Sequence, residues 1–132
     1  MPDFPFKTTF LGTINKDDHL AKCYAAADAF VLPSLEDNLP NTVMESLACA
    51  TPVVAFKTGG IPDMVKHLEN GYLAEYQSAS DLADGIAWLF LHDDATAIQK
   101  EARRSVLAHF APAVIATQHK ALYQSLIDAQ PQ

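Results

Sequence analysis

Two carboxylates, Asp37 and Glu45, stand with seven residues between them, and their surroundings suit the binding of a polyhydroxylated, anionic ligand. Asp37 lies in Ser34-Leu35-Glu36-Asp37-Asn38-Leu39-Pro40, a stretch rich in turn formers. Glu45 lies about one turn into a helix predicted from Asn41 to Ala50. Carboxylates so placed can accept paired hydrogen bonds from sugar hydroxyls. Each also has a plainer reading. Thr42-Val43-Met44-Glu45 fits a capping box, in which Thr42 caps the helix and Glu45 reaches back to it. Asp37 fits an ordinary turn aspartate. Spacing alone leaves both readings open. A second loop, Thr58-Gly59-Gly60, precedes another short helix. Glycines there let backbone approach a ligand without a Cβ in the way. Helix amino termini after both loops offer unpaired N–H groups and partial positive charge to an anion or to sugar oxygens.

The elements that must position these residues alternate short apolar strands with helices. That order predicts an α/β fold with a Rossmann-like, mainly parallel sheet and flanking helices. Strands are expected at Thr8–Leu11, ending at Gly12, then at Ala29–Leu32, Pro52–Phe56 and Tyr72–Glu75. Asp17 or Asp18 caps a helix whose apolar face includes Leu20, Cys23, Tyr24 and Ala27. A short helix runs from Ile61 to His67 with Pro62 in its first turn, and Asn70-Gly71 marks a turn. From about residue 78 the chain is helical. Ser78 or Ser80 caps a helix to His92 with Leu82, Ile86, Leu89 and Phe90 as its stripe. Helices over 95–110 and 113–129 follow. Val114, Ile115, Leu122, Leu126 and Ile127 form the apolar stripe of the last, and such stripes are read as core-facing. Ligands of open α/β sheets bind outside the carboxyl ends of the strands, where residues 33–40 and 57–61 lie.

Composition narrows the function. The chain has 132 residues, enough for a single domain, and 49% of them are apolar. A net charge of −7 argues against nucleic-acid binding through a basic face. No apolar run reaches the roughly 18 residues of a membrane span. Met1-Pro2-Asp3-Phe4-Pro5 has no basic flank or long apolar stretch, so it is not read as a signal peptide. The expected location is cytoplasmic, with the inner face of a membrane left open. Cys23 and Cys49 form no metal-ligand spacing and are read as buried free thiols. His19, His67, His92, His109 and His119 are scattered and are read as surface or boundary residues. No metal site is expected.

The residue string from Pro33 to Phe56, with its core Glu36-Asp37-Asn38-Leu39-Pro40-Asn41-Thr42-Val43-Met44-Glu45-Ser46-Leu47-Ala48, closely resembles glycosyltransferase family 4. So does Thr58-Gly59-Gly60-Ile61-Pro62-Asp63. The resemblance begins near Phe10-Leu11-Gly12, runs through Asn70-Gly71-Tyr72-Leu73 and fades toward Leu122-Tyr123. It implies retaining enzymes of the two-Rossmann-domain GT-B type, and here the carboxyl-terminal, donor-binding domain. In that family a Glu-x7-Glu motif holds the donor, the first Glu on the transferred sugar and the second on the ribose. The second maps onto Glu45. The first falls on Asp37, one methylene shorter, with Glu36 one residue off register. Asp37 and Glu45 are the implied catalytic pair. Asn38, Leu39, Pro40, Asn41, Thr42, Gly59 and Gly60 complete the implied donor site. Two further departures are Ala50, where the family commonly has Gly, and Lys57, which is either a local cation or simply solvated.

The resemblance implies a hexose moved from a uridine or guanosine diphosphate sugar to a glycan or lipid-linked acceptor, with no cofactor. It also implies parts not found in these residues: an amino-terminal acceptor domain, and two strand–helix units whose Arg and Lys clamp the diphosphate. The chain alone is therefore expected to transfer no sugar and to bind nucleotide sugar weakly or not at all. The missing units would have paired with Thr8–Leu11, so unpaired sheet edges favour a homodimer or a displaced placement of residues 1–15. Peripheral membrane association belongs to the whole enzyme. The alternative is a non-catalytic nucleotide- or partner-binding module. A phosphorylase, which shares the fold, lacks its pyridoxal lysine motif here.

Overall fold

The computed structural model describes residues 4–129 of the chain. Three parallel strands form the sheet: β1 (Phe30–Leu32), β2 (Val53–Phe56) and β3 (Gly71–Ala74), in the order β1-β2-β3. Phe30 pairs with Val53 and Val53 with Gly71. Central β2 is an unbroken apolar run because helices cover both of its faces. On one face pack α2 (Asn41–Ala48), α3 (Ile61–Met64) and α5 (Ala95–Phe110), through Val43, Leu47, Ile61, Met64, Ala102 and Val106. On the other lies α4 (Ala79–Leu91), with Leu89 against Val54. Helix α1 (Asp17–Ala25) packs on α2, and α6 (Pro112–Asp128) follows α5.

Several expectations need correction. Residues 8–11 form no strand and are exposed. A strand exists only through a ladder, and β1 pairs with β2 alone among the described residues. The chain then turns at Gly12, whose φ is +64°. Residues 1–3 lie outside the described residues. Neither Asp17 nor Asp18 caps α1. The cap position is Lys16, and the two carboxylates sit in the first turn, where the helix dipole favours them. Helix α3 stops at Met64 because Val65 is extended, and β3 begins one residue earlier than expected. Phe90 is 63% exposed, since the buried stripe of α4 runs through Leu82, Gly85, Ile86 and Leu89 and leaves it to one side. In α6 only Val114 and Ile115 are partly covered, while Leu122, Leu126 and Ile127 are exposed. The core-facing reading of that stripe therefore holds only in part for Val114 and Ile115, and no described residue covers its far end.

The cap of α4 follows the sequence more closely. Ser78 caps α4 by accepting the Asp81 amide, and Asp94 caps α5 by accepting that of Ala97. Helix α2 ends two residues early, at Ala48, in a Schellman turn: Thr51 N–H donates to Ser46 O, and Ala50 N–H to Leu47 O. The turn needs a left-handed residue, and Ala50 adopts φ +62°. A Cβ costs about 1 kcal/mol in that conformation. Ala50→Gly is therefore expected to raise stability by about 1 kcal/mol, seen as a higher urea midpoint. An unchanged or lower midpoint would show that the Ala50 side chain offsets the strain.

Asp81 ties α4 to β3. One carboxylate oxygen accepts the Glu75 amide at 2.6 Å and the other the Tyr72 hydroxyl at 2.7 Å. The Glu75 N–H, then the Tyr72 hydroxyl, hold its pKa below the usual aspartate value. A depressed folded pKa contributes stability that is present above the unfolded value, near pH 4, and is lost as pH falls through the folded pKa. The urea-midpoint gap between wild type and Asp81→Asn should be open at pH 7 and close below about pH 4. A gap independent of pH would refute the assignment.

Candidate functional site

The site is built on two loops at the carboxyl ends of adjacent parallel strands: residues 33–40 after β1 and 57–60 after β2. Three contacts lock them together. Thr58 Oγ1 donates to Leu35 O at 3.2 Å, Gly60 N–H donates to Asn38 O at 2.7 Å, and Gly59 lies against the Asp37 carbonyl. Gly59 has φ +51°, and a Cβ built on it would stand 1.6 Å from Asp37 O. The glycines thus serve a close approach, as expected, but the backbone they admit is the chain's own. Gly60 likewise would bring a Cβ to 2.2 Å from Asn38 O.

The two helix amino termini are not equivalent. At α3 the amides of Gly60, Ile61 and Asp63 already donate within the chain, and Pro62 has none to offer. That terminus presents no unpaired donor of the kind the sequence suggested. At α2 the cap position is Pro40, which is buried and has no side chain to accept a first-turn amide. Among the described residues, Asn41 and Thr42 N–H make no hydrogen bond within the chain. They are free donors at the positive end of the helix dipole.

That helix start also excludes the capping-box reading of Glu45. With Pro40 at the cap, Thr42 is the second helical residue, and no side-chain cap is made. The Glu45 carboxylate instead faces α1, where Tyr24 Oη donates to its Oε2 at 3.5 Å. Burial, and then the Glu45 carboxylate, push the Tyr24 hydroxyl above its ordinary pKa. Glu45, Tyr24, Leu20, Ala21 and Ala48 line a cleft of about 360 Å³ between α1 and α2, with Asp17 at its rim. Asp37, Asn38, Glu36, Thr58 and Gly59 line a separate, shallower groove of about 450 Å³. The structure therefore gathers Asp37, Asn38 and Gly59 at one depression and sets Glu45 in another. The α2 amino terminus belongs to the same loop–helix unit as both carboxylates. Leu39 is 46% exposed beside Gly60.

Lys57 is exposed, and its amide is used in a bond to Ala74 O. Cys23 and Cys49 are free, but half-buried rather than buried, and Cys49 reaches the Glu45 cleft. All five histidines are exposed. No cluster of three or more metal-ligating side chains occurs among the described residues. No described helix is long and apolar enough to cross a membrane. Reading the sequence missed two contributors. Tyr24 counted only as part of an apolar face, although a tyrosine there carries a polar tip that needs a partner. Thr58 counted only as a loop residue.

A three-stranded parallel, Rossmann-like sheet with flanking helices matches part of the carboxyl-terminal domain of a GT-B glycosyltransferase fold. The family model of the group 1 glycosyl transferases matches residues 5–105, and the chain belongs to that family. The N-acetyl-alpha-D-glucosaminyl L-malate synthase of Bacillus anthracis is 29% identical over 122 residues, covering 92% of this chain and 31% of that protein. The D-inositol 3-phosphate glycosyltransferase of Corynebacterium jeikeium is 35% identical over 109 residues, covering 83% and 26%. Among solved structures, sucrose-phosphate synthase from Thermosynechococcus elongatus superposes with a TM-score of 0.80 at 35% identity, over 92% of this chain and 31% of that one. Anabaena HepE in complex with UDP-glucose gives 0.71 at 26% identity, over 80% and 30%. The chain spans less than a third of the length of each of these proteins.

Proposed function

We propose that residues 33–62 form the sugar- and ribose-facing half of a nucleoside diphosphate sugar site. The parent activity on this reading is that of a retaining, family 4 hexosyltransferase acting on a glycan or lipid-linked acceptor. The base is uridine or guanosine, no cofactor takes part, and the work is done in the cytoplasm at or near the inner membrane face. The observation that carries the reading is the open start of α2. Two free amides, Asn41 and Thr42, stand at its positive end. Glu45, one turn on, is not consumed by capping. As the sugar leaves, the diphosphate gains negative charge, and preorganised N–H donors at a helix end stabilise charge that develops there. Asp37 orients the sugar and Glu45 anchors the ribose. HepE, a structural relative, is known in complex with UDP-glucose, which supports the donor class.

The net charge of −7 sets a limit on what this half-site does alone. A diphosphate needs cations to offset its charge, and the groove at Asp37 is lined by Glu36 as well. On this proposal the acceptor site and the basic clamp come from polypeptide beyond the described residues. The 132-residue chain then binds UDP- or GDP-sugars weakly and transfers no sugar. Ligand-observed NMR with UDP-glucose and GDP-mannose should show weak binding that Asp37→Ala and Glu45→Ala each reduce, beside no release of UDP or GDP in a turnover assay. Unchanged binding in both variants would remove the site. Turnover by the chain would remove the claim that a clamp is missing.

A further inference from the structure

The Glu45 side chain is exposed, yet the group that holds it is not. Tyr24 is 8% exposed and is fixed at both ends of its body. Its ring meets Phe30 edge-on, with centroids 5.4 Å apart and planes at 86°. Its carbonyl accepts Thr51 Oγ1 at 2.6 Å, and the Thr51 carbonyl in turn accepts Ser46 Oγ at 2.9 Å. Ser46 follows Glu45 in α2, so the same helix that carries the carboxylate also braces the tyrosine. The one polar atom of Tyr24 left over, its hydroxyl, donates to Glu45 Oε2. Burial, and then the Glu45 carboxylate, hold the pKa of that hydroxyl above its ordinary value, and a tyrosine hydroxyl carries its proton at neutral pH in any case.

We propose that Tyr24 is a positioning residue. It holds the Glu45 carboxylate in the orientation that accepts the ribose hydroxyls of a bound nucleoside diphosphate. The inference rests on the reading of Glu45 as the ribose anchor. An unsupported glutamate on a helix surface samples several rotamers, and selecting one on binding costs affinity. A buried, braced donor removes much of that cost before the ligand arrives. The contact is 3.5 Å in the free protein, and such bonds commonly shorten when ligand is bound. Glu45 is free to move toward the ligand at one oxygen while Tyr24 keeps hold of the other.

The measurable consequence is discrimination between ribose and deoxyribose, because only the ribose presents both hydroxyls to the carboxylate. The full chain, Tyr24→Phe, Glu45→Gln and the double variant are titrated by ligand-observed NMR. The probes are UDP against 2′-deoxy-UDP and GDP against 2′-deoxy-GDP, and circular dichroism confirms that each variant is folded. Wild type should prefer the ribonucleotide. Tyr24→Phe should lower that preference about tenfold, the low end expected for a hydrogen bond to a charged group, since the contact is long. The double variant should be no worse than Glu45→Gln, since Tyr24 acts through Glu45. A purely structural tyrosine would weaken both nucleotides equally and leave the ratio intact. If Glu45→Gln lowers the ratio and Tyr24→Phe does not, the positioning role is wrong and the donor site stands. If wild type binds neither nucleotide, or shows no ribose preference for Glu45→Gln to lower, the Glu45 reading fails and this inference fails with it.

Discussion

Gly59→Ala is expected to abolish detectable nucleotide-sugar binding and to destabilise the fold by about 3 kcal/mol. Backbone strain and a steric clash act together. The left-handed φ of +51° penalises any Cβ. The clash costs more: the new carbon would lie 1.6 Å from Asp37 O and 2.8 Å from Asp37 C, both backbone atoms. A flexible side-chain tip could swing away, but a carbonyl in the middle of a loop cannot move alone. The loop at 33–40 must separate from the loop at 57–60. That separation breaks the Gly60 N–H bond to Asn38 O and the Thr58 bond to Leu35 O. It also shifts Asp37, which lines the groove on the proposed sugar side. The urea midpoint reads the loss of stability, and ligand-observed NMR with UDP-glucose reads the loss of binding. Leu39→Ala, an exposed neighbour in the same loop, is the control and should change stability little. Wild-type binding by a folded Gly59→Ala chain would mean that the loop latch does not shape the site.

The latch shows where reading the sequence stopped. Gly59 and Gly60 were legible as positions of close backbone approach, because glycine in a loop before a helix has few other reasons to be there. What approaches them was not legible, since it depends on how two strand ends come together. Residues 8–11 failed for a related reason. Their apolar character suits a strand, but pairing is a property of two segments, and no described segment pairs with residues 8–11. Local signals fared better. Ser78 announced the start of α4, because a cap needs only its own helix's amides. The capping box at Thr42 was a misleading local signal: Pro40 starts the helix two residues too early for that register. The signal matters for function, since it offered Glu45 a capping duty that the structure does not show. Spacing left the roles of Asp37 and Glu45 open and the family resemblance paired them, whereas their placement in two separate depressions was not legible.

Asn70→Ala should cost about 3 kcal/mol or more, because Asn70 has no exposed surface and its side chain is fully engaged. Its Oδ1 accepts the Lys66 amide at 2.7 Å. Its Nδ2 donates to Met64 O at 3.0 Å and to Ser105 Oγ at 2.8 Å. One amide therefore fastens the end of α3 and the turn before β3 to the middle of α5. Alanine leaves the half-buried Lys66 N–H and the buried Met64 C=O without these partners, and each orphan costs on the order of 1–3 kcal/mol. The consequence reaches the candidate site through α3, whose Ile61 and Met64 pack in the same core as Val43 and Leu47 of α2. Asn70→Asp separates hydrogen bonding from volume. It keeps the acceptor for Lys66 but turns a carboxylate oxygen toward the Met64 carbonyl, an acceptor facing an acceptor. Burial and that repulsion raise the folded pKa of the new carboxyl. A raised folded pKa makes the acid form favourable to folding, so this variant should gain stability relative to wild type as pH falls below about 5. Asn70→Ala should show no such recovery. Urea midpoints at pH 7 and about pH 4 for the three proteins test both claims. Parallel pH behaviour of the Ala and Asp variants would show that the loss comes from packing rather than from the unpaired amide and carbonyl.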